Sequence, residues 1–197
     1  MFGGMAGSRS YIDQRWGTRP LWPGWDLLDG LSGRGQLDAL ALRFGRNLYP
    51  ALLFDWWHGG TLTVDDLRAV LPDAWCWPEW PQRALGVGEW VGLFRMAGFV
   101  SDTGRVAPTE PVTVHRGTTW GRRRGMAWTT DRRRAEWFAD RWMLWATGSG
   151  MVVTATVDPG AVLAFIDDRR ESEVVLDPGA LPPIRKRDTS RSPGLVT

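Results

Sequence analysis

Cysteine, lysine and histidine are almost missing from this chain. Its 197 residues include one cysteine, Cys76, one lysine, Lys186, and two histidines. A lone cysteine cannot close an internal disulfide, and two isolated histidines give no metal-ligand spacing, so no metal is expected. No apolar run approaches the roughly 20 residues of a membrane helix, so no membrane association is expected either. The opening stretch, MFGGMAGSRS, lacks the basic start and apolar segment of a secretory signal, which makes the cytoplasm the expected location.

What the chain has in quantity is arginine, 23 of its 24 basic residues, and 14 tryptophans. A net charge of +2 is too small to argue for a nucleic-acid partner by itself, so local clusters carry more weight. Apolar residues make up 43% and charged residues 23%, the balance of an ordinary folded chain. The length suits one domain, or a small helical unit joined to a larger one.

The texture changes along the chain. Residues 1–35 carry eight glycines and scattered tryptophans without periodicity, and read as a loosely ordered arm. Residues 36–104 read as a helical unit. Leu37, Leu40, Ala41 and Phe44 recur at helical spacing before Gly45, and Tyr49 to Trp57 follow as a second helix entered just after Asn47. Thr63 is placed to cap a third helix, with Asp65 and Asp66 in its first turn and Pro72 closing it. A fourth is expected over Gly88 to Met96, ended by Gly98.

From about residue 105 strands dominate. PVTVHRG alternates, with Val112, Val114 and Arg116 on one face and Thr113 and His115 on the other. Thr130 is expected to cap a helix with an apolar face of Ala135, Phe138, Ala139, Trp142 and Trp145. Short apolar runs at 151–157, 162–166 and 173–177, each bounded by turn residues, read as strands. The tail from Pro182 is Pro-rich and basic and reads as flexible. The fold class is therefore α+β.

Three elements fall in a particular order: a strand ending HRG, the segment GMAWTTD leading into a helix, and ESE ahead of an apolar strand. This order resembles the ADP-ribosyltransferase superfamily, in the branch with an arginine, a Ser-Thr-Ser-like strand and a Glu-x-Glu loop; the resemblance covers residues 112–178. It implies a split, mostly antiparallel sheet over residues 105–181 that binds NAD as a consumed substrate. Arg116 would hold the NAD phosphates and ribose, a task suited to a planar, permanently charged fork. Gly117 would allow close backbone approach to the nicotinamide. The Ser-Thr-Ser element maps onto Ala127, Trp128 and Thr129, so one hydroxyl is lost and Thr129 alone would steady the ribose and the catalytic glutamate. Trp128 would wall the nicotinamide pocket or pack in the core. Glu173 would stabilise the positive charge that builds on the ribose, and Glu171 would face the acceptor, in this branch an arginine side chain. Two acids two residues apart project from one face of a strand, which both roles need.

Taken alone, each feature has an ordinary reading: a solvated strand-end arginine, charges on a strand edge, a packing histidine at 115. Arg122–Arg124 and Arg132–Arg134 place six arginines within 13 positions, and read first as a solvated loop and helix face. The expected activity is transfer of ADP-ribose from NAD to a macromolecule, in the first place protein arginine, with a nucleic-acid acceptor also open. The alternatives are an NAD glycohydrolase, with water as acceptor, and a non-catalytic nucleic-acid-binding module using the arginine clusters. The arginine-rich composition fits a bacterial or phage protein.

Overall fold

A computed structural model describes residues 33–145 and 149–184. The expectations for residues 1–32 and 185–197, and for the side chains of Phe44 and Trp145, lie outside the described part. Helix α1 spans Gly33–Phe44, α2 Tyr49–His58, α3 Val64–Cys76, the single turn α4 Pro81–Ala84 and α5 Val87–Ala97. Then come β1 Val100–Ser101, β2 Val112–Thr118, β3 Ala127–Thr129, α6 Arg132–Trp145, β4 Met151–Val157, β5 Val162–Ile166 and β6 Glu173–Leu176. Among the described residues no helix is long and apolar enough to cross a membrane.

The helix ends follow local chemistry. Thr63 and Asp66 form a reciprocal capping box that satisfies two amide donors at the start of α3. Gly98, at φ 77°, ends α5 in the left-handed region that glycine enters at little cost. Two expectations need correction. Pro72 does not close α3, which runs on to Cys76. Although an interior proline costs about 3 kcal/mol, the residues beyond it, Ala74, Trp75 and Cys76, are all buried, and their packing outweighs the lost hydrogen bond. Helix α6 is capped by Asp131 rather than Thr130: the Asp131 carboxylate accepts from the amides of Arg133, at 2.8 Å, and Arg134. Asn47, for its part, accepts from the amide of Glu79 and caps nothing in α2.

Among the described residues the strands form one mixed, mostly antiparallel sheet of six, in the order β1-β5-β6-β3-β2-β4, with only β1 and β5 parallel. The sheet has two apolar surfaces because β5 and β6 are buried on both sides. Strand β5 supplies side chains to both cores by alternation, and the register shift between Val162 and Ala164 accompanies adjacent Leu163 and Ala164 falling in the same one. One core joins Leu163, Ala164, Ile166 and Val175 to residues of α1, α2, α3 and α5, including Leu37, Leu53, Leu67 and Trp90. The other gathers Val114, Trp128, Val153, Ala155, Phe165 and Val174. The helices and the sheet are thus tied through shared apolar contacts, and an ion pair from Arg95 of α5 to Asp177, at 2.6 Å, adds a polar tie. Helix α6 lies against β2, toward the other end of the strand order from β1, with Ala135 and Ala139 buried.

Candidate functional site

A cleft opens where the sheet nearly comes apart. Strands β2 and β3 are joined by a single residue pair, His115 with Thr129. Beyond that pair residues 116–118 stay with β4, while 127 and 128 stay with β6. In place of a further backbone rung the Arg116 side chain bridges the gap: Nη1 donates to the Ala127 carbonyl and Nε to the Arg122 carbonyl. Burial lowers the Arg116 pKa to about 10, against the pull of Glu173, so the guanidinium keeps its charge at neutral pH.

The cleft has a volume of about 590 Å³, within the range of small-molecule sites. Arg116, Gly117, Trp128, Thr129, Glu171 and Glu173 all line it. Helix α6 adds Phe138 and Trp142, helix α3 adds Trp75, and the exposed Trp80 comes from just ahead of α4. Among the described residues no three His, Cys, Asp or Glu side chains gather as a metal site.

Glu173 opens β6 and is 8% exposed. Its Oε1 accepts a 2.8 Å hydrogen bond from the indole N–H of Trp75. Burial raises its pKa to about 7; Glu171 pushes in the same direction, while the Trp75 hydrogen bond and the charges of Arg169 and Arg116 oppose the rise. A carboxyl group that changes charge near neutrality inside a cleft is an unusual arrangement, of the kind that active sites build.

Glu171 is held differently from the way the sequence suggests. It precedes β6 rather than opening it, and Ser172 between the two acids has φ 45°, so plain strand alternation does not relate them. Arg170 also has positive φ, 53°, and two such non-glycine residues in one loop cost about 1–3 kcal/mol each. The loop keeps this shape because it is tied at several points. The Asp102 carboxylate accepts from the amides of Asp167 and Asp168, both at 2.8 Å, and Asp167 in turn accepts from the amide of Ser172. Arg134 donates to the Arg170 carbonyl, and Arg169 to that of Pro78. Replacing Asp102 with alanine is expected to free the loop, with faster hydrogen exchange at the amides of 167 and 168 and little change elsewhere.

Thr129 does not hold the Glu173 carboxylate. Its hydroxyl donates to the Glu171 carbonyl at 2.7 Å and accepts from the amide of Asp131 at 2.9 Å, so it steadies the acid-bearing loop instead. Gly117 has a structural reason of its own: a Cβ there would collide with the backbone of α6 at Ala135 and Ala139. Trp128 is 2% exposed, belongs to the second core and donates its indole N–H to the Gly125 carbonyl, so it is chiefly a core residue that touches the cleft. His115, read from the sequence as a packing or surface residue, lines the cleft and pairs through Nδ1 with the Thr154 hydroxyl at 2.9 Å. Its pKa is lowered, first by burial and then by Arg132, which leaves the ring neutral at neutral pH.

Several of the clustered arginines have tasks inside the fold. Arg124 donates to the carbonyls of Pro178, Leu181 and Pro182, pinning the segment after β6. Arg122 sits over the Trp142 ring, Arg123 over Trp120, and Arg132 pairs with Glu136. Sequence reasoning missed Trp75, Arg169 and Asp102. Trp75 lies 98 residues from Glu173, and no local motif links the two. In comparisons with known proteins, no family model, no curated protein and no solved structure matches this chain.

Proposed function

We propose that the chain is a mono-ADP-ribosyltransferase that takes ADP-ribose from NAD and passes it to a macromolecular acceptor, in the first place an arginine side chain. The observation that carries this reading is the convergence of Arg116, Glu171 and Glu173 on one cleft at the fork of the sheet. The single pair between β2 and β3 supports reading the sheet as the split sheet of that superfamily. On this reading Arg116 grips the NAD phosphates and ribose, and Trp128, Thr129 and Gly117 belong to the nearby wall.

The chemistry follows from the two acids. The bond between the nicotinamide nitrogen and the ribose C1′ breaks, its electron pair leaves with nicotinamide, and positive charge grows on the sugar. Ionised Glu173 stabilises that charge and hydrogen-bonds to the 2′-hydroxyl, an interaction that strengthens toward the transition state. A guanidine nitrogen then forms the new bond to C1′, and its proton passes to Glu171. The internal engagement of Arg122, Arg123, Arg124, Arg132 and Arg134 favours this reading over a nucleic-acid-binding module.

Incubation with NAD labelled in the adenylate half, together with an arginine-rich protein, tests the proposal. Label on the protein and free nicotinamide in equal amounts are the expected result. Free ADP-ribose without labelled protein would identify a glycohydrolase, and no nicotinamide release would overturn both. A variant reports on Arg116. A Cβ at Gly125 would collide with the Arg116 guanidinium, so Gly125→Ala is expected to displace that side chain. NAD turnover should fall about tenfold or more, and the melting temperature should fall with it, since the displaced guanidinium gives up its bonds to the Ala127 and Arg122 carbonyls that bridge β2 and β3.

A further inference from the structure

We propose that Trp75 is a positioning residue for Glu173: its indole N–H holds one carboxylate oxygen and leaves the other for the cleft, which makes helix α3 a working part of the site. The proposal rests on the reading of Glu173 as the acid beside the ribose. Its geometry is independent of that reading. Trp75 is 2% exposed and wedged edge-on against Trp90, at 5.0 Å between ring centroids, and against Phe94, at 5.8 Å. An indole fixed on two sides cannot swing, so its N–H direction is set by the helical core.

A buried tryptophan N–H needs an acceptor, and here that acceptor is the buried acid of another element. Among the described residues no other hydrogen bond to the Glu173 carboxylate is seen, and the nearby Thr129 hydroxyl is engaged with the Glu171 carbonyl. A carboxylate held in one orientation before substrate arrives loses less freedom in the transition state, which is the value of preorganisation. The charged and titratable groups around it are Glu171, which opposes ionisation, and Arg169 and Arg116, which favour it. Cys76, next to Trp75 on α3, has its thiol pushed up to about 12 by burial and therefore carries no charge at working pH.

Trp75→Phe removes the donor and keeps an aromatic ring against Trp90 and Phe94. Titration of the Glu173 carboxyl carbon by NMR in the full chain is expected to show its midpoint moved upward by roughly one to two pH units, as fits loss of a hydrogen bond to a charged group. Turnover of NAD by this variant should fall about tenfold in kcat at neutral pH, with KM little changed, and recover as pH rises. A merely structural defect would lower the rate equally at all pH values. The wild-type chain supplies a second readout that does not depend on the variant folding. The Trp75 indole N–H resonance should shift with the ionisation of Glu173 and lose that shift in Glu173→Gln. An unmoved midpoint in Trp75→Phe, or an indole resonance indifferent to Glu173, overturns the proposal. If the indole titrates while the wild type consumes no NAD, the transferase reading fails and the hydrogen-bond assignment holds.

Discussion

Replacing Glu173 with glutamine is expected to do two opposite things: end NAD turnover and make the protein more stable. Turnover should drop about 10²–10³-fold, the loss typical when one electrostatic stabiliser of a transition state is removed. The stability effect follows from linkage. The folded-state pKa of Glu173, about 7, stands above the ordinary glutamate value of 4.5, so the folded chain binds this proton more tightly than the unfolded one. Stability contributed by the protonated acid is therefore complete below the lower value and declines as pH rises from it to about 7. Above that range the wild type carries a buried charge at a cost of about 3 kcal/mol. Glutamine cannot ionise, yet its carbonyl still accepts from Trp75, so the variant should gain about that much at pH ~8.5 and close to nothing at pH ~4. Urea melts at the two pH values measure it. A wild type equally stable at both, relative to the variant, would mean that the acid ionises without penalty. The same ionisation governs rate, so wild-type kcat should climb as pH rises through about 7.

Gly117→Ala should produce the largest loss of stability. The added methyl group would overlap the Ala135 carbonyl, the Ala139 amide and the Phe138 Cβ, and the first two are backbone atoms that cannot rotate away. Helix α6 must then draw back from β2, at about 3 kcal/mol, toward the top of the usual range for overpacking. For a chain of this size that is a fall of roughly 6–12 °C in melting temperature. Because α6 also carries Phe138 and Trp142 to the cleft, the damage reaches the site wall. Gly121→Ala, where a Cβ would meet nothing within 4 Å, is the matched control and should melt with the wild type. Equal melting temperatures for the two variants would show that α6 tolerates the methyl group.

Sequence reasoning reached the parts of this molecule that are encoded locally. The strand in PVTVHRG, the cap at Thr63 and the glycine end of α5 each depend on residues within a few positions of one another. The six candidate residues reach one cleft because they lie in or beside three strands that are neighbours in the sheet. What the sequence hid depends on distance or on competition. Pro72 has a strong local meaning that burial of Trp75 and Cys76 overrides. Thr130 and Asp131 both make good caps, and the choice went to the residue whose amide could be taken by Thr129. The bend at Ser172 and the partnership of Trp75 with Glu173 exist only once the loop and the helix have docked.

The core shared by the N-terminal helices and strands β5 and β6 has a practical corollary for anyone wishing to handle the molecule in pieces. A cut near residue 105 would strip β1 from its neighbour and bare Leu163, Ala164, Ile166 and Val175 on one fragment, with a matching greasy face on the other. It would also leave an acid with no indole to hold it. The chain is best expressed, crystallised and engineered whole.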